Sequence, residues 1–86
     1  MNLSGGKMWV VISADKCNFC TKAKELLREK GLPFTEYNLN SGSSKWLLTL
    51  LRLAELKTVP QVFNMNGTHI GGYTELKEYL DEVRKV

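Results

Sequence analysis

The sequence predicts one α/β domain, a four-stranded mixed sheet flanked by three helices. Three observations predict it: a strand–helix–strand run near the start, a hairpin signal between two short β-rich runs, and an amphipathic segment at the end. The first unit demands parallel pairing through a right-handed crossover, whereas a hairpin is antiparallel. The sheet is therefore mixed.

Trp9-Val10-Val11-Ile12 is a continuous apolar run, as expected of a strand buried on both faces. Ser13 to Lys16 form a loop. Phe19, Ala23, Leu26 and Leu27 then recur at helical spacing, and that helix stops at Gly31, with Pro33 barring its continuation. Phe34 to Leu39, with Phe34, Thr35 and Tyr37, reads as the second strand. Asn40 to Ser44 is a polar loop, after which Leu47, Leu50, Leu51 and Ala54 mark one face of a second helix. Gln61 to Met65 and Thr68 to Ile70 are the third and fourth strands, and Asn66-Gly67 between them signals a type I′ turn. Gly71-Gly72 interrupts, and Leu76, Tyr79, Leu80 and Val83 give the closing helix its apolar face. Trp9 is expected in the core or at its edge. Trp46 opens the second helix partly exposed, either in ordinary packing or on a docking surface.

A chain of 86 residues is near the lower end of what folds on a single core. Residues 1–7, with Ser4-Gly5-Gly6, read as a flexible lead-in, and residues 8–86 as the single domain. No apolar run approaches the roughly 20 residues of a membrane span; the richest, Trp46 to Leu56, is broken by Thr49, Arg52 and Glu55. The start lacks the apolar region of a secretion signal, so a cytoplasmic protein is expected. The net charge of +3 is mild. Lys22, Lys24, Arg28 and Lys30 alternate with Glu25 and Glu29, the pattern of a solvated helix face, which argues against nucleic-acid binding.

Two cysteines are too few for a disulfide-stapled scaffold, and a bridge across two intervening residues closes too short a loop to stabilise much. Cys17 and Cys20 sit where the first loop becomes a helix. The opening turn leaves backbone N–H groups unpaired and carries the positive end of the macrodipole. Cys17 is therefore expected to be partly or wholly thiolate at neutral pH, below the free thiol value of about 8.5. Lys16 acts in the same direction and Asp15 against it. Cys20, one turn deeper, can reach Cys17 but is shielded from solvent. The pair then works in two steps: Cys17 attacks a substrate disulfide, and Cys20 displaces the substrate by closing the internal bond. A structural zinc site needs about four ligands, and two cysteines with one histidine leave it incomplete. Two unreactive buried thiols are the remaining alternative. His69, the sole histidine, is expected on an exposed hairpin strand, without a catalytic role.

Cys17-Asn18-Phe19-Cys20, Thr58-Val59-Pro60 and Gly71-Gly72-Tyr73-Thr74-Glu75-Leu76, in that order and spacing, resemble the glutaredoxin family from Trp9 to Leu80. Lys16-Cys17, Pro60-Gln61-Val62-Phe63 and His69-Ile70-Gly71-Gly72 are especially similar to the phage-encoded glutaredoxins, sometimes called phage thioredoxins. The resemblance implies a thioredoxin-like fold with Pro60 cis beside the cysteines. It implies a monomeric, cytoplasmic thiol–disulfide oxidoreductase (host cytoplasm if phage-encoded) that serves electron transport and cell redox homeostasis. Glutathione would be a co-substrate, with no tightly bound cofactor and no metal. Clients would be disulfide-containing proteins, ribonucleotide reductase among them, at a potential of about −200 to −230 mV.

By the same resemblance, Lys16 and Lys57 would face the carboxylates of glutathione, and Thr58 and Val59 would pair its backbone past Pro60 as an added strand. Phe19 would keep an apolar ring beside the sulfur, and Gly72, Tyr73, Thr74 and Glu75 would hold the γ-glutamyl end. The residues support this last assignment independently. Gly71-Gly72 permits close backbone approach. Thr74 can cap the final helix, whose N-terminus attracts a carboxylate, and Glu75 can pair with the glutamyl ammonium. Read from the residues alone, a strand-start proline at Pro60 and a plain bend at the glycine pair remain the alternatives. Two positions depart from the family pattern: Asn18 stands where many members carry proline, and Phe19 where tyrosine is common. Asn18 keeps open a second reading, a carrier of a 2Fe–2S cluster held between two copies with glutathione.

Overall fold

The computed structural model describes residues 8–84; the expected lead-in, 1–7, and the side chain of Val83 lie outside the described residues. The chain runs β1 (Trp9–Ser13), α1 (Asn18–Glu29), β2 (Phe34–Asn38), a 3₁₀ turn (Gly42–Ser44), α2 (Trp46–Leu53), β3 (Gln61–Phe63), β4 (His69–Gly71) and α3 (Tyr73–Arg84). The strands form one sheet in the order β2-β1-β3-β4. β1 and β2 are parallel, with Trp9 opposite Phe34 and Ser13 opposite Asn38. β3 runs antiparallel to both β1 and β4.

Alternation along β1 feeds two cores. Trp9 and Val11 join Ala23 and Leu27 of α1, Val62 of β3, and Leu76 and Leu80 of α3. Ile12 points the other way, to Leu39 and to Leu47 and Leu51 of α2. So α1 and α3 cover one face of the sheet and α2 the other. Trp9 is buried, as expected, with its ring edge-on to Tyr79 at 5.8 Å.

α1 ends as Gly31 requires. Gly31 adopts φ +71°, its N–H donates to the Arg28 carbonyl, and the Leu32 N–H donates to the Leu27 carbonyl. This closes the helix through a left-handed residue. α2 ends the same way at Glu55, at φ +59°, with the Leu56 N–H donating to the Leu51 carbonyl. No glycine marks that position.

Three local expectations need correction. First, Gln61 to Met65 and Thr68 to Ile70 are shorter or shifted as strands, because the hairpin is not a two-residue type I′ turn. Among the described residues Asn66 does not have positive φ, and only Gly67, at +82°, does within the loop. The Gly67 N–H donates to the Asn64 carbonyl, and Asn64 Oδ1 accepts from the N–H groups of Asn66 and Thr68. These contacts make a three-residue loop whose left-handed position is Gly67. Second, the buried face of α2 is Leu47 and Leu51 alone; Leu50 and Ala54 are exposed. Eight residues give only two turns against the sheet, so a third apolar ridge has nothing to cover. Third, α3 begins at Tyr73, so Thr74 lies inside its first turn rather than at its cap.

Ser13, at the end of β1, is buried and donates its hydroxyl to Glu36 of β2, which also pairs with Lys24 of α1 at 2.9 Å. Partial burial by itself pushes the Glu36 carboxyl up. The hydrogen bonds from Ser13 and Lys24 and the charges of Lys24 and Arg28 outweigh it and hold the group below its ordinary value of 4.5. A depressed carboxyl stabilises the fold above its unfolded value, and that stability is lost as pH falls through the folded value. Glu36→Gln is therefore expected to cost up to about 1 kcal/mol at neutral pH, as for a half-exposed pair. Urea unfolding should show the difference shrinking as pH drops below 4.5; a pH-independent difference would contradict the assignment.

Candidate active site at the opening of the first helix

Cys17 occupies the cap position of α1, with extended backbone at φ −116° and ψ 102°, and its Sγ accepts from the Cys20 N–H at 3.1 Å. Serine, threonine, aspartate or asparagine ordinarily supplies this acceptor; here a sulfur does. Cys17 and Cys20 are joined by a disulfide, with Cα atoms 5.2 Å apart. Cys17 is half-buried, whereas Cys20 is only 2% exposed. The expected division between a reachable and a shielded sulfur is present.

The loop before Cys17 is fixed from the end of β2. The Asp15 N–H donates to Asn40 Oδ1 at 2.7 Å, and Asn38 Nδ2 donates to the Asp15 carboxylate at 3.0 Å. Lys16 follows in the left-handed region at φ 57°, which turns the chain into the helix. The Asp15–Asn38–Asn40 tie was not foreseen. Its members come from separate segments and have no common sequence period.

Val59 faces the cysteines: its carbonyl oxygen lies 3.8 Å from Cys17 Sγ. The Val59–Pro60 bond is cis, as the resemblance implies. Phe19, Thr58, Val59, Pro60, Gly72, Tyr73, Thr74 and Glu75 line one shallow groove of about 150 Å³. The Phe19 ring is largely exposed and lies 6.1 Å from that of Tyr73, with Lys22 Nζ 5.3 Å from its centroid. Eight of the expected binding residues are thus gathered on one surface.

Lys57 stands apart from that groove, beside a neighbouring apolar hollow that shares Thr58 and Val59. Lys16 is exposed and is not part of the groove lining either. At the far end, Glu75 Oε1 accepts from the Gly72 N–H at 2.8 Å. Glu75 therefore supplies the reciprocal half of a cap at α3, where the sequence reading places the cap itself at Thr74. A Cβ on Gly72 would lie 3.2 Å from Glu75 Oε1, tight against the capping carboxylate, and at ordinary contact distance, 3.5 Å, from the Pro60 carbonyl oxygen.

His69, on β4, is exposed as expected, and its Nε2 is 2.6 Å from Gln61 Oε1. Gln61 was not singled out from sequence beyond its place in a strand. Among the described residues no group of three or more histidine, cysteine, aspartate or glutamate side chains is placed to hold a metal ion. No described helix is long and apolar enough to cross a membrane.

A sulfur on a helix cap, bonded to a buried partner and faced by a cis-proline loop, belongs to the dithiol oxidoreductases of thioredoxin-like fold. The glutaredoxin family model matches residues 9–70, and the chain belongs to the glutaredoxin family. It is 37% identical over 76 residues to the glutaredoxin of Enterobacteria phage T4, covering 76% of this chain and 85% of that one. It is 44% identical over 64 residues to the hybrid peroxiredoxin hyPrx5 of Haemophilus influenzae; the match covers 74% of this chain and 25% of that protein. The crystal structure of the buckwheat glutaredoxin–glutathione complex superposes with a TM-score of 0.74 at 26% identity, covering 93% of this chain and 79% of that one. The protein is a thiol–disulfide oxidoreductase.

Proposed function

We propose that the protein reduces glutathione-mixed and protein disulfides with glutathione as the electron donor. The observation that carries this reading is the single groove joining Thr58-Val59-Pro60 to Gly72-Tyr73-Thr74-Glu75 beside Cys17. A γ-glutamyl tripeptide needs this combination: an extended backbone edge, a polar helix start for its charged end, and a sulfur at one side. Glu75 keeps a second carboxylate oxygen for the glutamyl ammonium, beyond the one that accepts from Gly72.

In the reaction, the Cys17 thiolate attacks the glutathione sulfur of a mixed disulfide. The client thiolate leaves and takes up a proton. A second glutathione thiolate then attacks the Cys17-bound sulfur, releasing glutathione disulfide and restoring the Cys17 thiolate. For a client with an internal disulfide, Cys17 first bonds to one client sulfur. Cys20 then attacks Cys17 Sγ, the client leaves as a dithiol, and two glutathione molecules reduce the Cys17–Cys20 bond. Glutathione is in this account a substrate that comes and goes, and one copy of the chain suffices.

Lys16 and Lys57 supply positive charge near the groove rather than inside it. Similarity to a phage glutaredoxin favours ribonucleotide reductase as a client, in a host cytoplasm. The match to part of a hybrid peroxiredoxin favours a second client class, the disulfides formed when thiols reduce peroxides. Steady-state reduction of a peptide–glutathione mixed disulfide, with glutathione as donor, tests the core of the reading. Saturable turnover is expected. No turnover with glutathione, while a dithiol reductant still supports reduction of protein disulfides, would overturn it. A brown colour on anaerobic purification would instead support the cluster carrier.

A further inference from the structure

Gln61 is the most deeply buried amide side chain described, 5% exposed at the start of β3. Both ends of its amide are used. Nε2 donates to the Thr58 carbonyl at 2.7 Å and lies 3.4 Å from Thr58 Oγ1, while Oε1 meets His69 Nε2 at 2.6 Å. Thr58 presents a carbonyl, so the amide nitrogen must face it; the amide oxygen then faces His69, whose Nε2 carries the proton. That arrangement holds whether His69 is neutral or charged, since a second proton would go to Nδ1. The His69 ring is further braced by Phe63, with centroids 5.0 Å apart.

The chain of contacts leads from β4 to the reacting sulfur. His69 fixes Gln61, Gln61 fixes the Thr58 carbonyl, and the next residue, Val59, faces Cys17 Sγ. Thr58 and Val59 are exposed and half-buried respectively and lie outside any strand, so the sheet ladder does not hold them. A loop that must offer its backbone to a peptide needs an anchor of this kind. We infer that His69 and Gln61 are positioning residues that hold the Thr58–Val59 edge in the conformation that pairs with the backbone of a thiol peptide. The inference rests on the peptide-pairing role given to that edge above and adds the device that orders it.

The test compares two single-turnover reactions of the reduced protein: with glutathione disulfide, which has peptide backbone, and with 4,4′-dithiodipyridine, which has none. His69→Phe keeps an aromatic ring against Phe63 but donates no hydrogen bond. Gln61→Glu keeps the volume and the acceptor for His69 but cannot donate to the Thr58 carbonyl. Each is expected to slow the glutathione disulfide reaction by about five- to tenfold, as for one lost hydrogen bond. The dithiodipyridine rate should stay within about twofold. His69→Gln, which restores an N–H donor, should recover part of the loss. Equal slowing toward both disulfides, or toward neither, would overturn the inference.

If the unmodified protein shows no saturable turnover of a glutathione-mixed disulfide, the proposed substrate is wrong, and a second measurement decides the positioning role. Hydrogen exchange of the Gln61 side-chain amide protons should be at least about tenfold faster in His69→Phe than in the unmodified protein, while β1 backbone amides keep their protection. Unchanged exchange at Gln61 would overturn the anchor itself.

Discussion

Cys17→Ser is expected to bring disulfide reduction down to background, a loss on the order of a thousandfold or more, with the fold intact. The serine hydroxyl still accepts from the Cys20 N–H at the cap, so α1 keeps its start. What disappears is the thiolate, the only form that attacks a disulfide sulfur. Cys20 cannot replace it, because at 2% exposure no substrate sulfur reaches it in line. Cys20→Ser should behave oppositely. Turnover of a glutathione-mixed disulfide should survive within severalfold, while reduction of client disulfides that require the second sulfur should fail. Alkylation by iodoacetamide in the Cys20→Ser protein reads the acidity of Cys17 directly, and its midpoint should lie below the free value of about 8.5. Substantial activity in Cys17→Ser, or a Cys17 thiol that stays neutral well above that value, would contradict the mechanism.

The parts of the fold that were legible share one property: a local signal agreed with the tertiary demand. The run from Trp9 to Ile12 is apolar on both faces because helices cover both faces of β1. Gly31 ends α1 because only the left-handed region closes that helix, and glycine enters it without strain. Where the two conflicted, the sequence misled. Asn66-Gly67 favours a two-residue turn, but Asn64 offers its side-chain oxygen to two N–H groups and moves the turn by one residue. Leu50 has the spacing of a buried residue on a helix too short to bury it. Glu55 sits left-handed without the residue type that announces it.

The site divides along similar lines. The cysteines were readable because their spacing and helix-start position are both local. The Thr58-Val59-Pro60 and Gly71-Gly72 segments were readable as motifs, and the groove gathers them. The ties that hold those segments were not. Gln61 to His69, across the hairpin, braces the Thr58 loop, while Asp15 to Asn38 and Ser13 to Glu36 join the end of β1 and the loop after it to β2; each satisfies a polar group in a place set by tertiary packing. The cap expected at Thr74 lies two residues earlier, at Gly72, because α3 starts at Tyr73, a shift within the ordinary uncertainty of helix ends.

Gly71→Ala is expected to be the most damaging single-atom-group change outside the cysteines, because two costs coincide there. Gly71 adopts φ +125°, a conformation that costs an L residue about 1–3 kcal/mol. An added Cβ would also lie 2.9 Å from both Cβ and Cγ of Glu75 and 3.1 Å from its Oε1. Glu75 Cγ and Oε1 can rotate away, but only by giving up the Gly72 N–H. Glu75 Cβ cannot retreat without moving the first turn of α3, and Leu76 beside it is fully buried. The summed loss should be about 2–4 kcal/mol, a large share of the 5–15 kcal/mol typical of a domain. Urea unfolding measures it. Function should suffer separately, since the displaced turn carries Gly72, Tyr73 and Thr74 out of the groove; KM for a glutathione-mixed disulfide should rise more than kcat falls. Gly67→Ala supplies the comparison. It has positive φ, at +82°, but open space around the added Cβ, so it should show the backbone cost alone and leave KM unchanged. Equal stability losses in the two variants would mean that contact with Glu75 contributes nothing, and the account of how the glycine pair holds the groove together would fail.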